Sequence, residues 1–218
     1  FLSRSLCGYN ESMEFYTTIH KRVTAEIVEK KSRFIASVAH VETEAEALAF
    51  LEETRAAHRM ARHNVYAYVL REGGRIRYSD DGEPQKTAGM PTLEVVRHAQ
   101  LTDVIVVVTR YFGGVLLGTG GLVRAYTQAT QAGLAAAEIV TISRCVDVVV
   151  RLPYALYEQT LRIAQSCNAQ VADTVFTDVV AVRFLMLDGQ QCALLAKMTE
   201  LCRGQEDVSV SSPYDAVF

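Results

Sequence analysis

Val104-Ile105-Val106-Val107-Val108-Thr109-Arg110-Tyr111-Phe112-Gly113-Gly114-Val115-Leu116-Leu117-Gly118-Thr119-Gly120-Gly121 is the most informative stretch of this 218-residue chain. Residues 104–108 are an unbroken β-branched run, the pattern of a strand covered on both faces. The run ends in Thr109-Arg110-Tyr111-Phe112 and passes into a glycine-rich segment, 113–121. A long helix follows to about Glu138. Its inner face reads Leu122, Tyr126, Ala129, Gly133 and Ala136, a narrow seam suited to close packing on a sheet.

Upstream, residues 23–29 and 33–40 read as strands around the polar turn Lys30-Lys31-Ser32. Thr43 is placed to cap a helix, with Glu46 three residues on completing a capping box. In that helix Ala47, Phe50, Leu51 and Thr54 share one face. Residues 64–71 and 75–79 read as strands around a Glu72-Gly73-Gly74 hairpin loop. Residues 80–87 are a polar loop, and Pro91 opens a short helix to about His98. Downstream, residues 145–151, 170–177, 179–187 and 207–212 read as strands, and 155–167 and 190–203 as helices. That order is β-α-β-β-α-β, the split pattern of a ferredoxin-like domain.

The length allows one or two domains. The pattern favours two: an extension over residues 1–18, of vector or upstream origin; a first domain over 19–142; and a second over 143–218. The fold class is therefore α+β or α/β with two domains. Half of the chain is apolar and 22% is charged, with 22 basic and 25 acidic side chains and a formal charge of −3. A polybasic coat for nucleic acid is excluded, since neutralising many phosphates needs a basic surplus. The surplus of acid lies beyond residue 142, so an anion-binding face belongs on the first domain. No apolar run reaches the ~18 residues of a membrane span. Five widely spaced cysteines without a Cys-x-x-Cys pair argue against a disulfide framework and for the cytoplasm.

Three segments could carry chemistry. Gly113, Gly114, Gly118, Gly120 and Gly121 stand between a strand and a helix, where bare backbone amides can cradle an anion. The spacing Gly113-x-x-x-x-Gly118 matches a P-loop, but Thr119-Gly120 replaces the Lys-Ser/Thr that reaches the outer phosphates. The glycines equally permit sharp turns and close packing. Asp80, Asp81 and Glu83 put three carboxylates within four residues, enough for a hard cation or, more simply, for a turn, a helix cap and ion pairs with nearby arginines. The third segment, residues 55–63, is densely basic and offers Arg62 and His63 to phosphate or to an acidic partner. No nucleophile-and-base set is assembled, and neither a cofactor nor a metal is called for.

Several motifs resemble one family: Lys30-Lys31-Ser32-Arg33-Phe34-Ile35-Ala36, Ala61-Arg62-His63-Asn64-Val65-Tyr66-Ala67-Tyr68, Tyr78-Ser79-Asp80-Asp81-Gly82-Glu83-Pro84, Thr87-Ala88-Gly89-Met90-Pro91, and the stretch from Val106 to Tyr126. Together they resemble the IMPACT family, in particular its bacterial two-domain YigZ-type members. The resemblance runs over about residues 20–215. Val65, where many members carry Cys, and Met60 depart from it. It implies a first domain with the fold shared by a ribosomal small-subunit protein, elongation factor G domain IV and the GHMP kinases. It implies a ferredoxin-like second domain resembling another elongation factor G domain. Eukaryotic members regulate translation by protein contact, with a partner that bacteria lack.

The expectation is a non-enzymatic, translation-associated protein, monomeric or weakly oligomeric and without a membrane partner. It would contact RNA, the ribosome, a translation-related protein or an anionic ligand. Arg62, His63, Arg110, Tyr111 and Arg124 would serve around the glycine loop. The alternatives are a phosphate-binding enzyme related to GHMP kinases and a protein-interaction adaptor. Fold alone is a weak guide among these.

Overall fold

Strand β6, Val104–Tyr111, is the middle of the first sheet. The computed structural model describes residues 15–204 and 207–218. The chain divides into two compact units, Tyr16–Val140 and a unit that includes Thr141–Phe218.

In the first unit, β2 (Val23–Glu29), β3 (Ser32–His40), β6, β4 (His63–Val69) and β5 (Ile76–Ser79) lie in that spatial order. Every pairing in this sheet is antiparallel. Side chains alternate between faces with period 2. Val104, Val106 and Val108 therefore pack with Leu122, Ala125, Tyr126 and Ala129 of α3 (Thr119–Ala136) and Val96 of α2 (Gly89–His98). Ile105 and Val107 pack on the other face with Ala47, Phe50 and Leu51 of α1 (Glu44–Ala57). Burial on both faces explains why the run carries no polar alternation. β6 is three residues longer than the β-branched run, because Thr109, Arg110 and Tyr111 continue the ladder with Ile35, Phe34 and Arg33.

The cap of α1 is as the sequence requires on one side. Thr43 Oγ1 accepts from the Glu46 N–H at 3.2 Å. The reciprocal arm differs: Glu46 Oε2 accepts from the N–H of Glu42 at 2.8 Å, one residue before the cap. Ala47, Phe50, Leu51 and Thr54 are all buried. In α3 the seam holds at Leu122, Tyr126, Ala129 and Gly133, whereas Ala136 is exposed as the helix ends. A short strand, β1 (Phe15–Ile19), was not legible in its mixed polar sequence. It is held by main-chain bonds from Thr102 N–H to Thr17 O and from His20 N–H to Glu138 O.

The second unit is built on the long strand β7 (Ile139–Leu152). β9 (Val180–Leu187) pairs with one edge of β7, and β8 (Gln170–Phe176) with β9. β10 (Asp207–Val210) pairs with β7, as does β11 (Tyr214–Val217), a strand absent from the sequence reading. All these pairings are antiparallel. Helices α4 (Tyr157–Ser166) and α5 (Gln191–Leu201) bury Ala164, Leu194 and Met198 against Val146, Val148, Val150 and Phe184. Cys145 and Cys167 are free thiols. Cys192 is disulfide-bonded, which the wide spacing of the cysteines did not signal. Among the described residues no helix is long and apolar enough to cross a membrane.

Gly133 tests the α3 seam. A Cβ there would stand 2.9 Å from Val38 Cγ2 and 3.0 Å from Ala36 Cβ. Ala in a helix interior is favoured over Gly by about 1 kcal/mol, but overpacking costs about 1–3 kcal/mol. Gly133→Ala is therefore expected to lose about 1 kcal/mol net in a urea titration. A midpoint that rises instead would show that the seam has room to spare.

Candidate functional site

Three neighbouring strands bring the candidate residues to one end of the first sheet. β2 turns into β3 through Lys30 and Lys31, both in the left-handed region with φ of 44° and 68°. β6 leaves the sheet at Tyr111, and Gly113 passes directly against that turn. A Cβ on Gly113 would lie 2.0 Å from the Lys31 carbonyl carbon, so only glycine fits. The Gly113 N–H donates to Ser32 Oγ at 3.1 Å. On the far side of β6, His63 opens β4 directly opposite Arg110. Arg110 thus sits in a cross-strand row between Phe34 and His63.

Arg110 and Glu83 form a buried pair. Their side chains are 9% and 4% exposed, and Nη1 lies 2.6 Å from Oε1. The Tyr126 hydroxyl donates to the same carboxylate oxygen at 2.9 Å. Burial first, and then the negative charge of Glu83, push the Tyr126 phenol far above the ordinary tyrosine range, so it remains a donor. The Arg110 guanidinium lies 5.5 Å from the Phe34 ring centroid and 5.6 Å from that of Phe112. Its Nε is buried and has no hydrogen-bond partner. A buried donor left unmet costs about 1–3 kcal/mol.

The acidic loop divides its labour. Asp80 accepts from the N–H groups of Lys86, Ala88 and Gly89 and so closes the start of α2. Asp81 accepts from the Asn64 N–H at 2.6 Å and pairs with Arg55 at 3.1 Å. Glu83 alone turns inward. Among the described residues no three His, Cys, Asp or Glu side chains are grouped to share a metal ion. The three carboxylates therefore do not converge as a cation site. The polar loop, helix cap and arginine pairing foreseen for them are what the structure contains.

His63 is oriented by the same loop. Its Nδ1 is 2.7 Å from the Asp81 carbonyl oxygen. A carbonyl only accepts, so Nδ1 carries a proton and Nε2 is the ring nitrogen left to face the interior of the site. Nε2 stands 4.0 Å from Glu83 Oε1. Arg62, His63 and Arg110, together with Phe112 and Leu116 from the glycine loop, line a cavity of 240 Å³. Tyr111 lies on the other face, by the period-2 rule. Its hydroxyl is 3.0 Å from His58 Nδ1, and the Arg33 guanidinium covers its ring. The grouping of Tyr111 with Arg110 is thus corrected.

The glycines also separate. Gly113 makes the close approach, and Gly114 and Gly118 take φ of 83° and 72°. Gly121 is buried against Leu117. Gly118 precedes α3, whose first turn has neither a side-chain cap nor an acid. A Cβ on the exposed Gly120 would lie 3.8 Å from Arg124 Nη1. Most arginines of this unit are neutralised in ion pairs, among them Arg22, Arg33, Arg55, Arg71, Arg75 and Arg110. Lys30, Lys31, Arg62 and Arg124 are exposed. Sequence reasoning passed over Lys30, Lys31 and Leu116 as site residues and left Phe112, an aromatic beside Arg110, between base stacking and the core. The available signal was apolar side chains, Val115, Leu116 and Leu117, within a glycine-rich loop.

Residues 30–134 match the model of the Impact N-terminal domain, and residues 150–205 match a domain of unknown function, DUF1949. The chain is 32% identical over 178 residues to "IMPACT family member YigZ" of Escherichia coli, covering 80% of this chain and 87% of that one. The chain belongs to the IMPACT family. It is 38% identical over 181 residues to "IMPACT family member in pol 5'region" of Thermus thermophilus, covering 81% of this chain and 96% of the relative. It is 48% identical over 120 residues to "IMPACT family member YvyE" of Bacillus subtilis, a match spanning 55% of each chain. A solved structure titled "Crystal structure of an hypothetical protein" aligns with TM-score 0.59 and 31% identity, covering 90% of this chain and 97% of its own. The IMPACT N-terminal match takes in every residue lining the cavity.

Removing one member of a buried ion pair strands the other. Glu83→Gln is expected to cost about 3 kcal/mol in chemical denaturation. Glu94→Gln, at an exposed i,i+3 pair with Arg97, is expected to change stability by less than about 0.5 kcal/mol. Equal small effects would show that Glu83 is not a structural anchor.

Proposed function

We propose that this IMPACT-family chain is a non-enzymatic, translation-associated protein of the cytoplasm that contacts RNA or the ribosome through its first unit. The observation that carries the reading is the cavity lined by Arg62, His63 and Arg110, where the Arg62 side chain is exposed. A phosphate oxygen is the acceptor such a guanidinium recognises best. Lys30, Lys31 and Arg124 extend positive charge around the same glycine loop. The uncapped start of α3 adds a favourable dipole for anions.

The family resemblance supports the translational setting. So does the second unit, whose strand order β10-β7-β9-β8 with α4 and α5 packed on the sheet accords with a ferredoxin-like fold of the kind in elongation factor G. We take residues 19–142 and 143–218 as the two domains. The GHMP-kinase-like enzyme is the weaker reading, because Asp80, Asp81 and Glu83 are spent on capping, main-chain and arginine contacts.

Filter binding of a labelled ribosomal RNA fragment at low and moderate salt tests this. Retention at low salt that falls steeply with added salt is expected, since phosphate contacts release counterions. Arg62→Ala is expected to weaken binding across sequences and reduce the salt slope by about 1. No retention at low salt overturns the proposal.

A further inference from the structure

We infer that the cavity takes an unpaired nucleotide of single-stranded RNA, its base stacked on Phe112 and its phosphates held by Lys30, Lys31 and Arg62. This rests on the RNA-binding reading above and narrows it to one form of RNA. Three observations carry it.

The first is the aromatic at the rim. Phe112 is 47% exposed and Leu116 84% exposed, although both belong to the segment that leaves the most buried strand of the unit. The Arg110 guanidinium stands over the Phe112 ring, 5.6 Å from its centroid. An exposed ring backed by a cation is a stacking platform for any base.

The second is size. The cavity holds 240 Å³, at or below the small end of ligand pockets, which run from about 300 Å³ upward. That volume suits one base or one phosphorylated sugar. A duplex offers no unstacked base to such a site, whereas unpaired RNA does.

The third is the placement of charge. Lys30 and Lys31 lie on the β2–β3 turn, and Arg62 precedes β4. These strand ends flank β6, one on each side. Neighbouring strands are about 4.8 Å apart, so the two cationic clusters stand about 10 Å apart across the loop. Successive phosphates of an extended strand can meet one cluster and then the other, with the base between them on Phe112. Glu83 does not cancel this charge, because Arg110 and Tyr126 already engage its carboxylate. Glu29 beside the lysine turn is the nearest acid along the chain.

The chain has no tryptophan, so Phe112→Trp installs a single reporter. A non-complementary RNA oligonucleotide, its blunt duplex and inorganic polyphosphate are the probes, with the full chain. The single strand is expected to quench the reporter's emission on binding, and the duplex and polyphosphate to leave it unchanged. Phe112→Ala is expected to weaken single-strand binding about tenfold and Phe112→Tyr to leave it within about twofold. Lys30→Ala combined with Lys31→Ala is expected to lower the salt slope by about 1.4. Single-stranded RNA bound without quenching, and with Phe112→Ala unimpaired, overturns this inference and leaves the broader RNA reading standing. Equal or tighter binding of the duplex does the same. Failure of the unmodified chain to bind either RNA overturns both.

Discussion

The Glu83 carboxylate joins three parts of the first unit that are distant in sequence. It takes a guanidinium hydrogen bond from β6 and a phenol hydrogen bond from α3, while its own backbone belongs to the loop before α2. Burying such a pair is costly unless the remaining donors and acceptors are met. Here one is not: Arg110 Nε has no partner. The pair therefore fixes the loop, the strand and the helix around Arg110.

The alternation of β6 divides the chemistry of this end of the sheet. Arg110 follows Val104, Val106 and Val108 onto the α2/α3 face, where Glu83, His63 and Phe112 gather. Tyr111 follows Ile105 and Val107 onto the α1 face and meets His58. Adjacent residues in a strand cannot serve one cavity without a bulge. The β-branched run already implied this, once β6 was known to continue to Tyr111.

Much of the fold was legible. The buried face of α1 is the four residues that helical periodicity selects. The β-α-β-β-α-β order of the second unit recurs as β7, α4, β8, β9, α5 and β10. β1 and β11 were not legible, because short strands with polar alternation take their stability from the strand they join and carry little signal alone. At the candidate site, Arg62, His63, Arg110 and Gly113 were visible as residue types. Phe112 carried both a base-stacking and a core reading, since aromatics at the end of a strand are more often core, and Leu116 had no signal of its own.

The sequence by itself determined most of the local elements, the family resemblance and the distribution of charge along the chain. Those follow from periodicity, motif order and the charge balance along the chain, which need no partner in space. Only the tertiary structure decided which charges remain available. Asp80, Asp81 and Glu83 look alike in sequence, yet one caps a helix, one holds Asn64 and Arg55, and one neutralises Arg110. Lys30 and Lys31 look like an ordinary turn until Gly113 brings the glycine loop against them. Pairing and exposure are set by contacts between residues far apart in the chain, and a linear pattern does not encode those distances.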